Sequence, residues 1–179
     1  MCTIRRLLPV IVCAALLQCC GCDFLYSLLH KESAFERRLL GTAAVGEPNE
    51  RTIEIQRLLK LYGYSPGTID GKLGTKTRNA VERFQEDHEL EATRYVDLET
   101  WHTLSAFNDN GLVVDGEVNM IDVQRALRTA GFSPGTIDGK RGTHTTTALK
   151  QFQQAHNLTV DGRIGYQTLR ALADYVPVP

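Results

Sequence analysis

The sequence predicts an all-α protein built from two tandem small three-helix units. The first observation behind this is a repeat. The octet Ser65-Pro66-Gly67-Thr68-Ile69-Asp70-Gly71-Lys72 returns unchanged as Ser133-Pro134-Gly135-Thr136-Ile137-Asp138-Gly139-Lys140. Around it, residues 53–107 align with 121–175 without a gap, with about 23 identities in 55 positions, a register that chance does not hold. The second observation is a periodicity. Apolar residues in each copy recur at spacings of three and four, as on a helix with one buried face.

In chain order, residues 1–22 read as an export signal. Arg5 and Arg6 precede the apolar run 7–17, a basic region followed by a hydrophobic region too short to span a bilayer as a helix. All five cysteines (Cys2, Cys13, Cys19, Cys20 and Cys22) fall in this stretch, so disulfides do not support the core downstream. Residues 23–50 read as stalk and linker. Phe24, Leu25, Leu28 and Leu29 share one face and Phe35, Leu39 and Leu40 another. The phase slips between the two clusters, which leaves a partly ordered stalk and a short membrane-lying helix as alternatives. Residues 41–50, GTAAVGEPNE, are small and polar with Gly and Pro, the composition of a linker.

Repeat 1 occupies 51–107, a connector 108–118 and repeat 2 119–176. In repeat 1 the stripe Ile55, Leu58, Leu59 and Tyr62 predicts a first helix that Gly63 ends. Val123, Ala126, Leu127 and Gly131 play these parts in repeat 2. In the octet, Pro-Gly suits a turn with positive φ at Gly, Asp-Gly makes a second turn, and Ile69 and Ile137 are the expected pegs to the core. Thr75 and Thr143 are placed to cap the next helix. That helix buries Ala80, Val81, Phe84 and His88, or Ala148, Leu149, Phe152 and His156. A short third helix carries Trp101 and Leu104, or Leu169 and Leu172. Trp101 stands where repeat 2 has Leu169, which points to core rather than a binding platform.

The repeats resemble the peptidoglycan-binding-domain-1 family. Repeat 2 has the whole pattern: Gln124, Arg125, Gly131, Phe132, Pro134, Gly135, Asp138, Gly139, Gly142, Thr145, Ala148, Phe152, Gln153, Val160, Asp161, Gly162 and Gly165. Repeat 1 matches up to Leu90 and then departs, with Glu91-Ala92-Thr93-Arg94-Tyr95 opposite Thr159-Val160-Asp161-Gly162-Arg163. A string like the missing one, Leu112-Val113-Val114-Asp115-Gly116, occurs instead in the connector. The resemblance implies a small three-helix bundle that binds cell-wall peptidoglycan without catalysis. Separately, residues 16–22, LLQCCGC, resemble the lipobox of bacterial lipoproteins. That implies a lipid-bearing cysteine, Cys22 after Gly21, with Cys20 as the rival, and an exported protein held on the periplasmic side of an inner or outer membrane.

Candidate ligand contacts follow from side-chain chemistry. Asp70 and Asp138 can accept hydrogen bonds from glycan or peptide, or bond their own turns, and the turn role is the stronger expectation. Lys72 and Lys140 supply charge in both copies. Thr75, Thr77, Thr143 and Thr145 carry hydroxyls that can meet ligand or cap helices. Arg78 can pair with a stem-peptide carboxylate, although repeat 2 has Thr146 there. Tyr64 and Phe132 sit at the helix–loop junction, as sugar platforms or as core. Asp161 and Tyr166 complete the candidate set in the closing segment of repeat 2. His88 and His156 lack the convergent partners a metal needs, so no metal or cofactor is expected.

Net charge is −1, so no global basic field favours nucleic acid. Outside the signal, stalk and repeats no stretch of catalytic-domain length remains, and no HExxH or GxSxG motif occurs. The expected function is a lipid-anchored, non-catalytic grip on peptidoglycan. The alternatives are an adaptor that recruits a cell-wall enzyme and, weakest, a hydrolase using Asp70 and Asp138.

Overall fold

A computed structural model describes residues 34–41 and 48–176. Both cysteine candidates for lipidation and the residues of the export signal lie outside this range. The described elements are seven helices and a two-stranded hairpin: α1 (Ala34–Leu40), α2 (Glu50–Leu61), α3 (Thr75–Asp87), α4 (Leu98–Leu104), β1 (Val113–Val114), β2 (Glu117–Val118), α5 (Met120–Thr129), α6 (Thr143–Ala155) and α7 (Tyr166–Ala173). Repeat 1 is α2–α3–α4 and repeat 2 is α5–α6–α7, two tandem three-helix bundles. Among the described residues no helix is long and apolar enough to cross a membrane.

The helix ends follow from local chemistry. Asn49 caps α2, its Oδ1 accepting from the Thr52 amide at 2.9 Å. At the other end Gly63 takes φ +98°, its amide reaches back to the Lys60 carbonyl, and the Tyr64 amide to that of Leu59. This pair of bonds is a Schellman motif, which folds the residue after Gly onto the last turn. Gly131 and Phe132 repeat it after α5. An aromatic residue therefore follows Gly in both copies because that position closes the helix end. The expected threonine caps are not formed. Gly74 and Gly142 hold the N-cap positions of α3 and α6, without a side-chain bond, and Thr75 and Thr143 are exposed at the first helical position.

The apolar stripes meet in one continuous core. Ile55, Leu58, Leu59, Val81, Phe84 and Leu104 of repeat 1 are fully buried, as are Val123, Leu127, Leu149, Phe152, Leu169 and Leu172 of repeat 2. Sharing a core offsets the small size of each bundle, since a unit of this length alone buries only about 60% of its unfolded surface. Trp101 is half-buried against this core, with the Arg51 guanidinium 5.0 Å from its ring centroid.

Two features were not expected from the sequence. The string 112–116 forms the antiparallel hairpin β1–β2, paired Val113 with Val118 and Val114 with Glu117. Asp115 (φ +51°) and Gly116 (φ +73°) make its two-residue turn, a geometry that matches the twist of a hairpin. The turn lies on α2: a Cβ on Gly116 would sit 2.7 Å from that of Arg57 and 2.9 Å from the Glu54 carbonyl oxygen. The string is thus a fastener for the connector rather than a displaced copy of the turn at 160–162. The other feature is the docking of α1. A short helix is one of the two readings of the stalk segment, and the described end of that segment is a helix packed on repeat 1, with Leu39 and Leu40 against the core and Glu36 1% exposed.

Candidate functional site

Each octet loop is built around a buried glutamine that sequence reasoning gave no role. Gln56 and Gln124 are 0% exposed. The Gln124 Oε1 accepts from the amides of Asp138 (3.1 Å) and Gly139 (2.9 Å). Its Nε2 donates towards the Lys140 carbonyl (3.1 Å), Asp138 Oδ1 (3.2 Å) and Thr145 Oγ1 (3.2 Å). Gln56 does the same with Asp70, Gly71, Lys72 and Thr77. The hydroxyls of Thr77 and Thr145 in turn donate to the carbonyls of Pro66 and Pro134. A buried amide with every polar atom engaged holds its loop as one rigid unit. The loops are therefore pinned by polar groups, whereas Ile69 and Ile137, the expected pegs, are only half-buried.

This places most of the octet candidates. Asp70 and Asp138 each give one carboxylate oxygen to the glutamine and to the amide two residues on. Bonds to the Gln56 side chain and the Lys72 amide hold the Asp70 carboxyl below its usual range. The Lys140 amide and then Gln124 do so for Asp138. Thr77 and Thr145 are buried inside the loop, while the Lys72 and Lys140 side chains are exposed.

The same device operates a second time in each repeat. Gln153 of α6 accepts from the Gly162 amide (2.7 Å) and donates to Asp161 Oδ1, the Arg163 carbonyl and Thr168 Oγ1. In repeat 1, Gln85 accepts from the Arg94 amide (2.9 Å) and donates to Thr93 Oγ1, the Tyr95 carbonyl and Thr100 Oγ1. The Asp-Gly turn is absent from the repeat 1 sequence but its shape is kept. Thr93 replaces the carboxylate, and Arg94 adopts φ +66° where Gly162 has +72°.

The substituted turn has its own use. Glu36 of α1 inserts its carboxylate beneath it, accepting from Arg78 Nη1 at 2.7 Å and from the Val96 amide at 2.9 Å. Arg78 also donates to the Arg94 carbonyl (3.1 Å) and lies 4.6 Å from the Tyr95 ring centroid. The guanidinium singled out for a ligand carboxylate is thus engaged by a carboxylate of the same chain.

The two repeats meet around Tyr166, at the start of α7. Its ring centroid lies 5.2 Å from those of Tyr62 and Phe107 and 4.3 Å from that of His88, all of repeat 1. The Tyr62 hydroxyl donates to the Leu104 carbonyl at 2.7 Å. Beside this joint opens a groove of about 790 Å³ with one wall from each repeat. Repeat 1 contributes Tyr64, Asp87 and His88, and repeat 2 contributes Asp161, Arg163 and Tyr166. The Tyr64 hydroxyl donates to Asp87 Oδ2 at 2.9 Å, and its ring meets Phe84 edge-on at 5.5 Å. Burial first, then the neighbouring Asp87, pushes the Tyr64 phenol well above its ordinary pKa, and burial raises that of Tyr166, so both remain O–H donors. Burial lowers the His88 pKa, against the opposing pull of Asp87. The Asp161 carboxyl is held low by the Arg163 amide.

Of the candidates chosen from sequence, the fold brings together Tyr64, Asp161 and Tyr166. Phe132 lies apart, half-buried with its ring edge-on to Phe152 at 5.6 Å. Asp87, His88 and Arg163 were not chosen as ligand contacts. One signal for the joint was present: it falls where the copies differ. Tyr62 stands opposite Ala130, Asp87 opposite Ala155 and Tyr166 opposite Leu98. A surface used only once has no reason to be duplicated.

No solved structure matches the chain. A family model described as "Putative peptidoglycan binding domain" matches it twice, over residues 48–104 and 117–172. Those spans take in both glutamine-pinned loops of each bundle and together make up more than half of the sequence, and the chain accordingly belongs to that peptidoglycan-binding domain family, with two of its domains in tandem.

Proposed function

We propose that this protein grips peptidoglycan without cleaving it and is held in the bacterial cell envelope by a lipid on Cys22. The observation that carries the binding role is the groove between two domains of one wall-binding family, with aromatic rings and ionised groups on facing walls. A non-catalytic role is supported by the groove's own carboxylates. Glycoside cleavage needs one carboxyl kept protonated beside one that is ionised. Asp161 is driven the wrong way for the acid, because the Arg163 amide stabilises its ionised form. The anchor is supported by the sequence 16–22 and by general energetics. Each buried CH2 of an acyl chain contributes roughly 0.8 kcal/mol, so several chains on one residue hold a protein stably. Membrane at one end and wall at the other make the chain a tether, and two modules on one chain raise each other's effective concentration.

Sedimentation with purified sacculi tests the binding role. The full chain in detergent pellets with the wall and withstands washing; recovery wholly in the supernatant removes the reading. Metabolic labelling with a fatty acid tests the anchor. Label disappears in Cys22→Ser and persists in Cys20→Ser. The opposite pattern moves the anchor to Cys20, and no label on the parent chain removes it.

A further inference from the structure

We propose, resting on the wall-binding reading, that the groove between the repeats recognises the glycan of the wall, as acetamido-sugar rings, and not the stem peptide. The site is composite, so neither repeat has it alone.

Charge decides between the two parts of the polymer. The ionisable side chains at the rim are Lys60 and Arg163 on one side of the balance, Asp87 and Asp161 on the other. Their charges cancel. His88, which faces Asp87 on its own helix and Arg170 and Tyr166 from α7, is kept in its uncharged form at neutral pH by burial. A stem peptide with more carboxylates than amines needs an excess of cations to replace its lost hydration. Arg78, the guanidinium singled out for a stem-peptide carboxylate, lies elsewhere and already holds Glu36. A neutral sugar needs something else: flat apolar faces beside hydroxyl and amide partners. The groove supplies these. Tyr64 and Tyr166 are half-buried rings, and exposed Thr159 and Gln167 add neutral donors and acceptors. The volume of about 790 Å³ falls within the roughly 300–1,000 Å³ span of ligand clefts.

The duplication supplies a matched control. Thr159 is exposed in the groove, and its counterpart in repeat 1, Glu91, is exposed and outside it. Neither side chain makes a hydrogen bond that the fold depends on, so Thr159→Trp fills the cleft and Glu91→Trp adds the same bulk elsewhere. The experiment titrates the full chain in detergent calorimetrically with a tetrasaccharide of N-acetylglucosamine, and separately with free stem peptide. The parent chain and Glu91→Trp bind the saccharide equally, Thr159→Trp binds it at least tenfold more weakly, and stem peptide neither binds nor competes. Sacculus binding with no saccharide binding overturns the glycan assignment. Saccharide binding that Thr159→Trp leaves unchanged overturns the site. Failure of the parent chain to bind sacculi is separately visible, and removes the underlying reading together with this one.

Discussion

The two repeats make the same second turn from different residues. Repeat 2 uses Asp161-Gly162, the pair suited to a left-handed backbone, and repeat 1 uses Thr93-Arg94. What both retain is the glutamine at the end of the middle helix and the threonine that completes its bonds, Gln153 with Thr168 and Gln85 with Thr100. The fold therefore requires the buried amide more than it requires the Asp-Gly pair. Each repeat has fitted its outer face to a different neighbour. Repeat 1 puts Arg94 and Tyr95 around Arg78 and takes in Glu36 of α1. Repeat 2 puts Tyr166 into the joint, where repeat 1 leaves Leu98 51% exposed.

If the glutamine is the common fastener, its removal costs the same in either repeat. Gln85→Ala and Gln153→Ala each strand several buried backbone groups. Each variant loses about 3–4 kcal/mol, from net bond energies near 1 kcal/mol plus the penalty of unpaired groups. Urea unfolding of the full chain measures this. A large loss at Gln153 beside a negligible one at Gln85 would mean that repeat 1 holds its turn by other means.

Among the described residues the α1 clasp has no counterpart in repeat 2, so its loss tests repeat 1 alone. The side chains of Glu36 and Arg78 are 2% and 13% exposed. Removing one member of a buried pair leaves the other uncompensated, and Glu36→Gln costs about 3 kcal/mol. Limited proteolysis then cuts near α1 sooner than in the parent. Thr146→Arg, which places the guanidinium at the matching site of repeat 2, brings no comparable stabilisation, because among the described residues no helix docks there as α1 docks on repeat 1. An unchanged unfolding midpoint in Glu36→Gln would reduce the clasp to a surface contact.

These contrasts mark where sequence was sufficient and where it was not. The bundles were readable because their signals are local: apolar stripes such as Ile55, Leu58 and Leu59 at helical spacing, and Gly63 or Gly131 where a helix must end. The glutamines were in plain view in the family pattern, yet a polar residue beside a buried stripe looks like surface until its partners 14 and 21 residues away are known. The clasp and the groove depend on tertiary relations. Nothing local to Glu36 predicts Arg78, 42 residues on, and Tyr166 declares itself only when repeat 2 is set against Tyr62 of repeat 1. The hairpin at 113–118 was hidden by its likeness to the lost Asp-Gly turn.

Acid also separates the repeats. Asp70, Asp138 and Asp161 have folded-state pKa values below the ordinary 3.8. Their contribution is complete above the unfolded value and is lost as pH falls through the folded one. Two of the three belong to repeat 2, because Thr93 in repeat 1 does not titrate. Asp161→Thr, which copies repeat 1, therefore flattens the fall in stability below about pH 4. His88 acts earlier and in the same direction. Burial lowers its folded pKa below 6.5, so on acidification the unfolded chain takes up the proton first and stability declines from near neutrality. Urea midpoints from pH 7 to 3 resolve both steps, and His88→Phe removes the upper one. A parent profile flat between pH 7 and 5 would contradict the role of His88.

The smallest effects come from backbone conformation. After the middle helix, repeat 1 places Glu89 at φ +58° where repeat 2 has Asn157 at +55°, and asparagine tolerates the left-handed region better. Glu89 is exposed and no side-chain bond ties it down. Glu89→Gly therefore stabilises the chain by about 0.5–1 kcal/mol, and Asn157→Gly by less. Arg94→Gly offers the same relief at φ +66° but removes the side chain's bond to Asn79 Oδ1 (2.6 Å) and its ion pair with Glu82 (3.7 Å). Relief and loss are both of the order of 1 kcal/mol, so Arg94→Gly changes the unfolding midpoint little. A clear gain from Arg94→Gly would show that the departure from Asp-Gly is carried at a net cost to the fold.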